Sequence, residues 1–340
     1  MLLFCVPFSG VGQDFHFSLF DQNRTYYNPA MTGLQKGVIQ SNFVYRKQWI
    51  NMPGDFSTKH FNVDWKGFGP NGFGVFVLSD VEGDSFLTHN SIGGNYSWRG
   101  TIDKISGTYF QLGLKASYNI QKLDFDRLVF TDELDDIYGD IFESSYVADQ
   151  NRCSYIDFSV GGMICLRSEN IFGNELTHKI GGAVHHFTRP NESLQGGEEK
   201  LPVKIVFHAQ SEYQTRIRSL NRRNYFRITP SVVYESQGTS LFSKQSANSF
   251  MGGFDFNSEP LNIGLGYRSH LIKNSNRNYD VMMFKIGARF DNSNKNLVYR
   301  IFYCYDLAIN NYTKYTRDSH EIGLSVDILF KRKYKCTNSF

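Results

Sequence analysis

The stretch FTDELDDIYGD, residues 130–140, crowds Asp132, Glu133, Asp135, Asp136 and Asp140 around Tyr138. Carboxylate oxygens gathered on a loop can hold calcium. The spacing is not that of an EF-hand, and it lacks that motif's central glycine and terminal glutamate. A solvated acidic loop that meets a partner is the expectation, so these six residues are read as a partner-binding loop. The pair His185–His186 is the other metal-type constellation. On a strand, successive side chains point to opposite faces. The two rings therefore cannot chelate together, and one is expected on a wall and the other at a rim. Cys153, Cys165, Cys304 and Cys336 are scattered with no CxxC pair, so zinc is not suggested and free thiols are expected. In GFGPNGFG, residues 67–74, the glycines form a turn between strands. No helix follows to supply the N-terminus that a phosphate cradle needs. GxSxG, HExxH and GxxxxGK[ST] do not occur. No metal, cofactor or enzyme activity is expected.

What must position these residues is a set of strands. Mean hydropathy is −0.38, and no run of about 18 apolar residues follows the N-terminus, which excludes a helical membrane protein. It leaves a membrane β-barrel open, because barrel strands are half apolar and average out as polar. The net charge of +3 is too small to imply nucleic acid. Residues 1–12, MLLFCVPFSGVG, resemble a shortened secretory signal: an apolar run from Leu2 to Phe8, then small residues. Phe4 is bulky where a lipobox before Cys5 would need a small residue.

Alternation recurs from Gly37 almost to the end. The candidate strands are 37–46, 56–66, 71–79, 87–98, 107–118, 154–166, 175–187, 201–214, 225–234, 248–257, 261–269, 280–290, 297–306 and 319–330. In GTYFQLGLKASYNI, from Gly107, the oily row Phe110, Leu112, Leu114 alternates with Gln111, Gly113, Lys115. The row Val203, Ile205, Phe207 likewise alternates with Lys204, Val206, His208. Most segments have the roughly 9 to 11 residues of a tilted bilayer-crossing strand rather than the 5 or 6 of a globular one. Links after odd strands are longer on the whole than links after even strands, as in outer-membrane barrels with short periplasmic turns. The longest lies within 119–153. Aromatics such as Trp65, Trp98, Tyr118 and Tyr267 fall near strand ends, as in interfacial girdles.

The expected fold is all-β: a transmembrane antiparallel β-barrel of about fourteen strands over 37–330. A basic periplasmic tail, 331–340, follows. Both termini are expected in the periplasm. By parity Asp64, Asp157, Lys204, Lys285, Arg289, Arg300 and Asp327 face the lumen, where they either line an aqueous pore or pair with one another or a plug. In the last strand Glu321, Gly323, Val326, Ile328 and Phe330 have the spacing of a barrel insertion signal. Residues 13–36 lack alternation and carry five aromatics that need burial. They are expected to fold as a plug in the lumen or a dock at the periplasmic mouth.

The segment QDFHFSLFDQNRTYYNPAMTG, followed by YRKQW, resembles the start of the PorP/SprF family of type IX secretion system membrane proteins. Asn28, Pro29, Ala30, Gly33, Tyr45, Arg46, Gln48 and Trp49 match the family motif, while Phe15 departs from its proline. VLSDVEGD, HHFTRPNESL with LPVKIVFHAQ, YCYD and SHEIGL extend the resemblance over nearly the whole chain. It implies an outer-membrane barrel of Bacteroidota that supports export or surface anchoring of a large adhesin-like cargo through the cargo's C-terminal domain. Such proteins serve gliding motility among other roles. Implied partners are outer-membrane lipid, the cargo, other secretion components and periplasmic peptidoglycan-associated proteins. The competing reading is a passive or substrate-specific porin.

Overall fold

The computed structural model describes residues 14–329 except 84–86, 126–127, 129–132, 136–138, 141–150, 170–174, 195, 220–221, 239–246, 272–278, 293–295 and 310–317. The strands are β1 (Ile39–Lys47), β2 (Ser57–Lys66), β3 (Asn71–Glu82), β4 (Leu87–Asp103), β5 (Thr108–Lys122), β6 (Leu134–Asp135), β7 (Gly139–Asp140), β8 (Arg152–Glu169), β9 (Glu175–His185), β10 (Val203–Ser219), β11 (Arg222–Gly238), β12 (Ala247–Ser258), β13 (Leu261–Leu271), β14 (Tyr279–Asn292), β15 (Leu297–Ala308) and β16 (Ser319–Ile328). Fourteen of them close into one barrel, each antiparallel to its neighbours in sequence order. β1 and β16 close it, with Ile39 opposite Ile328 and Lys47 opposite His320. The two-residue pair β6–β7 forms a small hairpin within the link from β5 to β8.

Closure leaves no open edge, as a chain in hydrocarbon requires. The alternating pattern then sorts by face. Leu112 and Leu114 are 53% and 56% exposed on the outside of β5, while Gln111 between them is 2% exposed on the inside. Phe207, Ile263 and Ile286 lie outside, and Lys204, Val206, His208 and Met283 lie inside. An outer belt of this size made of large apolar side chains suits lipid and would be untenable in water.

Links at one end of the barrel run 48–56, 83–86, 123–151, 186–202, 239–246, 272–278 and 309–318. At the other they run 67–70, 104–107, 170–174, 220–221, 259–260 and 293–296. The asymmetry read from the sequence is present and sharper. Several strands overrun their expected ends because hairpin pairing continues past the apolar belt: β10 and β11 pair as far as Ser219 and Arg222. Hydrogen-bonded pairing does not need lipid, so hydrophobic alternation understates strand length.

The core lies inside the barrel. Phe17, Leu19, Phe20, Tyr26, Tyr27, Ala30 and Met31 of the N-terminal segment pack against inward-facing Val44, Leu78, Val206, Val233 and Met283. Among the described residues the segment thus lies within the lumen, as the plug of the two expected alternatives. The two termini, expected on one side, lie outside the described residues; the described chain runs from Asp14 to Leu329. Asp14 contacts Gln237 and His186, at strand ends on the long-link side. Gln35 and Gly37 meet Val38 and Ile328 at the short-turn end. The segment therefore crosses the lumen end to end, leaving Asp14 and Leu329 on opposite sides. The reason is reach: more than twenty residues without strand pairing span the barrel's height even with a helical turn included.

Candidate functional site

The plug is a chain of local devices. A helical turn, α1 (Arg24–Tyr27), is followed by a 3-10 turn at Pro29–Met31. Asn28 caps the second turn, its Oδ1 accepting from Ala30 N at 2.8 Å, and Thr32 Oγ1 donates to Pro29 O at 2.8 Å. Pro29 occupies the first helical position, where its missing N–H costs nothing. Gly33 then turns the chain with φ of +75°, a conformation that glycine adopts freely.

Two wall glycines receive this turn. Gly113 of β5 and Gly161 of β8 are directly opposed. A Cβ on Gly113 would fall 2.1 Å from Ala30 N, and one on Gly161 would fall 2.1 Å from Asn28 Oδ1. The Asn-Pro-Ala backbone thus lies in a dimple that only glycine leaves open. Asn28 Nδ2 reaches on to Gly162 O and Gly182 O, both at 3.2 Å, and to His208 Nε2 at 2.9 Å.

A buried charge cluster fixes the segment's upper half. Arg46 of β1 lies 2.8 Å from Asp306 Oδ2 of β15 and 3.0 Å from Glu321 Oε2 of β16. Glu321 accepts the backbone N–H groups of Ser18 and Leu19 at 2.6 and 3.0 Å. Ser18 Oγ donates to Asp306 at 2.6 Å and accepts from Arg46 at 2.8 Å. Arg268 of β13 donates to Phe17 O at 2.6 Å and to Ser18 Oγ at 3.1 Å. Two guanidinium groups thus face two carboxylates, all at most 3% exposed. Their charges balance and their remaining valences go to the plug's backbone, the condition under which buried ions are tolerated. Lower down, Arg24 pairs with Asp64 at 2.9 Å, and Asp64 accepts from Gly33 N at 3.1 Å.

At the long-link end His186 bridges Asp14 Oδ2 (2.8 Å) and Asp157 Oδ2 (2.9 Å). Burial alone would lower the His186 pKa, but the Asp14 and Asp157 carboxylates override it and raise it to about 9. Burial would raise Asp14, yet His186 and Lys204 hold it well below the usual carboxylate range. Beside this bridge lies a cavity of about 710 Å³ between the plug and the wall formed by β3, β4, β5, β8, β9 and β10. A second, of about 350 Å³, lies under Gln48 and Trp49.

The family-motif positions therefore do separate jobs. Asn28, Pro29, Ala30 and Gly33 build the plug turn, and Arg46 anchors it. Tyr45 alternates outward between buried Val44 and Arg46. Trp49, with φ of +49°, packs edge-on against Phe56 at 5.0 Å, and Gln48 N donates to Phe56 O. His185 is the wall residue of its pair and contacts Tyr27 O at 3.0 Å. His186 is the rim residue, but its φ of +56° swings it back over the mouth. The inward charges read from parity are mostly paired: Lys204 with Glu235, Lys285 with Asp255, Arg300 with Asp327. Arg289 sits half-exposed at a strand end and pairs with Glu259 and Asp291. Of the insertion pattern, Glu321 and Gly323 face the lumen, and Val326 and Ile328 face outward; Phe330 lies outside the described residues. So do Asp132, Asp136 and Tyr138 of the acidic loop, while Asp135 and Asp140 contribute backbone to β6 and β7. Glu133 is the one acidic-loop residue described outside the hairpin strands. Cys153, Cys165 and Cys304 are free thiols. Among the described residues no cluster of three metal-ligating side chains is arranged to hold an ion.

Sequence reasoning missed the cluster of Arg46, Arg268, Asp306 and Glu321 around Ser18 as a unit. The available signal was four inward-parity charges of balanced sign on strands that closure brings near one another.

Comparison with known proteins follows from this geometry. Among solved structures, the CymD monoaromatic hydrocarbon channel is similar at 9% identity and a TM-score of 0.47, with 94% of this chain and 95% of that chain covered. A Pseudomonas aeruginosa FadL homologue is similar at 10% identity and a TM-score of 0.43, with 88% and 92% covered. BamA from Haemophilus ducreyi lacking POTRA domains 1-3 is similar at 7% identity and 0.38, with 86% and 71% covered. No curated protein matches the sequence. The family model of the type IX secretion system membrane protein PorP/SprF matches residues 9–326. With nearly its whole length matched and its motif residues building and anchoring the plug, the chain belongs to the PorP/SprF family of type IX secretion system membrane proteins.

Proposed function

We propose that this outer-membrane barrel is a docking element of type IX secretion, which supports export or surface anchoring of a large adhesin-like cargo, and is not a conduit for solutes. One observation carries the reading: residues 14–36 cross the lumen end to end and are tied to its wall by buried ion pairs and backbone hydrogen bonds. A segment tied so firmly along the axis argues against a passive, water-filled pore. Family membership supports the association with secretion components and cargo. Short turns mark the periplasmic end of such barrels. On that orientation the long links and both cavities face outward, where a surface protein would be met. Leu329 follows β16 on the periplasmic side, available to peptidoglycan-associated proteins. Glu321, Gly323, Val326, Ile328 and Phe330 act as the insertion signal.

The test is paired. Deleting the gene is expected to strip a large secreted protein from the cell surface, read by surface proteomics. The purified barrel is expected to pass no large steady current in a planar bilayer. Unchanged surface proteins together with a steady current would replace this reading by the porin.

A further inference from the structure

Two lysines without an ion pair among the described residues line the cavity of about 710 Å³: Lys200, exposed on the 186–202 link, and Lys115 within the barrel. Lys115, on the inward face of β5, holds its Nζ 4.5 Å above the Phe76 ring and 5.4 Å from the Tyr26 ring. Among the described residues it has no hydrogen-bond acceptor and no carboxylate at ion-pair distance. This contrasts with Lys204 and Lys285, which pair with Glu235 and Asp255. The carboxylates nearest the cavity floor, Asp14 and Asp157, are held by His186. Two residues along β5, Ser117 also lines the cavity; its Oγ accepts from Asn119, which leaves its hydroxyl hydrogen to donate. Lys115 and Ser117 thus offer two donors to one anion at the floor. Cation–aromatic contact holds an ammonium in place without cancelling its charge.

The upper lining has the opposite character. Glu82, Glu192 and Glu199 line the cavity toward the long-link end, where they outnumber Lys200, and none of the three has a cation at ion-pair distance among the described residues. Burial and the Asp14 carboxylate push Glu192 up to about 7, with His186 pulling the other way. Between floor and rim the wall mixes apolar Phe15, Leu78 and Tyr155 with amide and hydroxyl groups such as Asn119 and Ser91.

We propose that this cavity binds the C-terminal end of a peptide chain, with its carboxylate on Lys115 and Ser117, apolar side chains along the wall, and a basic side chain at the Glu82–Glu192–Glu199 rim. A fatty acid would satisfy the floor but leave the rim carboxylates unmet. The volume is within the range of roughly 300–1,000 Å³ typical of ligand sites. The choice of a peptide rests on the reading that this mouth meets a secreted protein; the carboxylate subsite itself does not.

The experiment uses the full chain in detergent and a fluorescein-labelled hexapeptide, Gly-Lys-Lys-Ser-Tyr-Phe, as free acid and as C-terminal amide, read by anisotropy. The free acid is expected to bind at least tenfold more tightly than the amide. Lys115→Gln should erase that difference, and Lys115→Arg should keep part of it. A double Glu192→Gln, Glu199→Gln variant should weaken both peptides about equally. Equal binding of acid and amide by the unmodified protein overturns the proposal, whatever the variants do. So does an unchanged preference in Lys115→Gln, or binding of laurate with none of either peptide. Peptide binding without any loss of surface protein in the deletion strain would sink the docking function alone. Loss of surface protein without acid-selective binding would sink this inference alone.

Discussion

At the scale of the residue, function here is mostly positional. Gly113 shows it: its only unusual property is what it lacks, and the missing Cβ is where Ala30 N sits. Gly113→Ala is expected to cost at least the roughly 1–3 kcal/mol of an overpacked core, because the clash is with backbone that cannot swing aside. Gly252→Ala, where a Cβ would meet nothing closer than 3.5 Å, should change stability far less. Both are checked by the temperature at which the folded band is lost in heat-modifiability gels. Arg46 makes the complementary point. Arg46→Ala leaves Asp306 and Glu321 buried with one guanidinium between them, and breaking a buried pair costs about 3–5 kcal/mol. Glu321→Gln should cost less than Arg46→Ala, because the amide oxygen still accepts one of the Ser18 and Leu19 N–H groups. The reverse order in the same assay would mean that the cluster is not what holds the plug. The family motif was legible as a string of letters, but Arg46 could not be seen as an anchor. Its partners lie some 260 to 275 positions away and meet it only through closure.

At the scale of the element, the plug behaves as a strap with two fastenings of different chemistry. The inner one is a charge cluster sealed from water. The outer one, Asp14 to His186 to Asp157, sits at the mouth and titrates. His186 has its folded pKa raised to about 9, above the roughly 6.5 of an unperturbed histidine. Its contribution is therefore complete below about pH 6.5 and is lost as pH rises through about 9. Asp14 is depressed, so its contribution is complete above the unperturbed carboxylate pKa of about 3.9 and is lost as pH falls through its lowered value. The outer fastening should be tightest between about pH 4 and 6.5 and should loosen above pH 9. Hydrogen exchange of residues 14–17 should rise between pH 8 and 10, after correction for intrinsic rates, while that of 28–33 stays flat. A His186→Gln variant should show fast exchange at 14–17 at every pH. Flat behaviour at 14–17 in the unmodified protein would remove the bridge from the account. The sequence reading placed one of the two histidines at a rim without saying which; the left-handed backbone of His186, which turns it inward, has no signature in alternation.

At the scale of the molecule, the crossing of the lumen sets topology. With the short turns in the periplasm, a cysteine at Ile105, which is 98% exposed in the 104–107 turn, should react with a membrane-impermeant maleimide only after the outer membrane is permeabilised. A cysteine at the exposed Glu198, in the 186–202 link, should react on intact cells. The opposite pattern would invert the barrel, and with it the side on which Asp14 and the large cavity lie. Removing residues 14–36 should convert a silent barrel into a conducting one in a planar bilayer, because fourteen strands enclose more space than the wall side chains can fill. A silent deletion variant that still shows heat modifiability would mean that the wall alone closes the lumen.

Alternation, strand length and the inequality of the links are local properties of the chain, and they settled on their own that this is a barrel of about fourteen strands with lipid outside. Aromatic residues in a stretch without alternation also sufficed to say that 13–36 must be buried. Those inferences succeed because lipid imposes one rule on every strand, so the same signal repeats around the barrel. What fills the lumen depended on closure. Which inward charges meet, which glycines face the Asn-Pro-Ala turn, that the segment runs through to the far mouth, and that Lys115 has no ion-pair partner among the described residues are consequences of contacts between residues far apart in sequence. Such contacts follow from the register of fourteen strands taken together, and no single strand carries them.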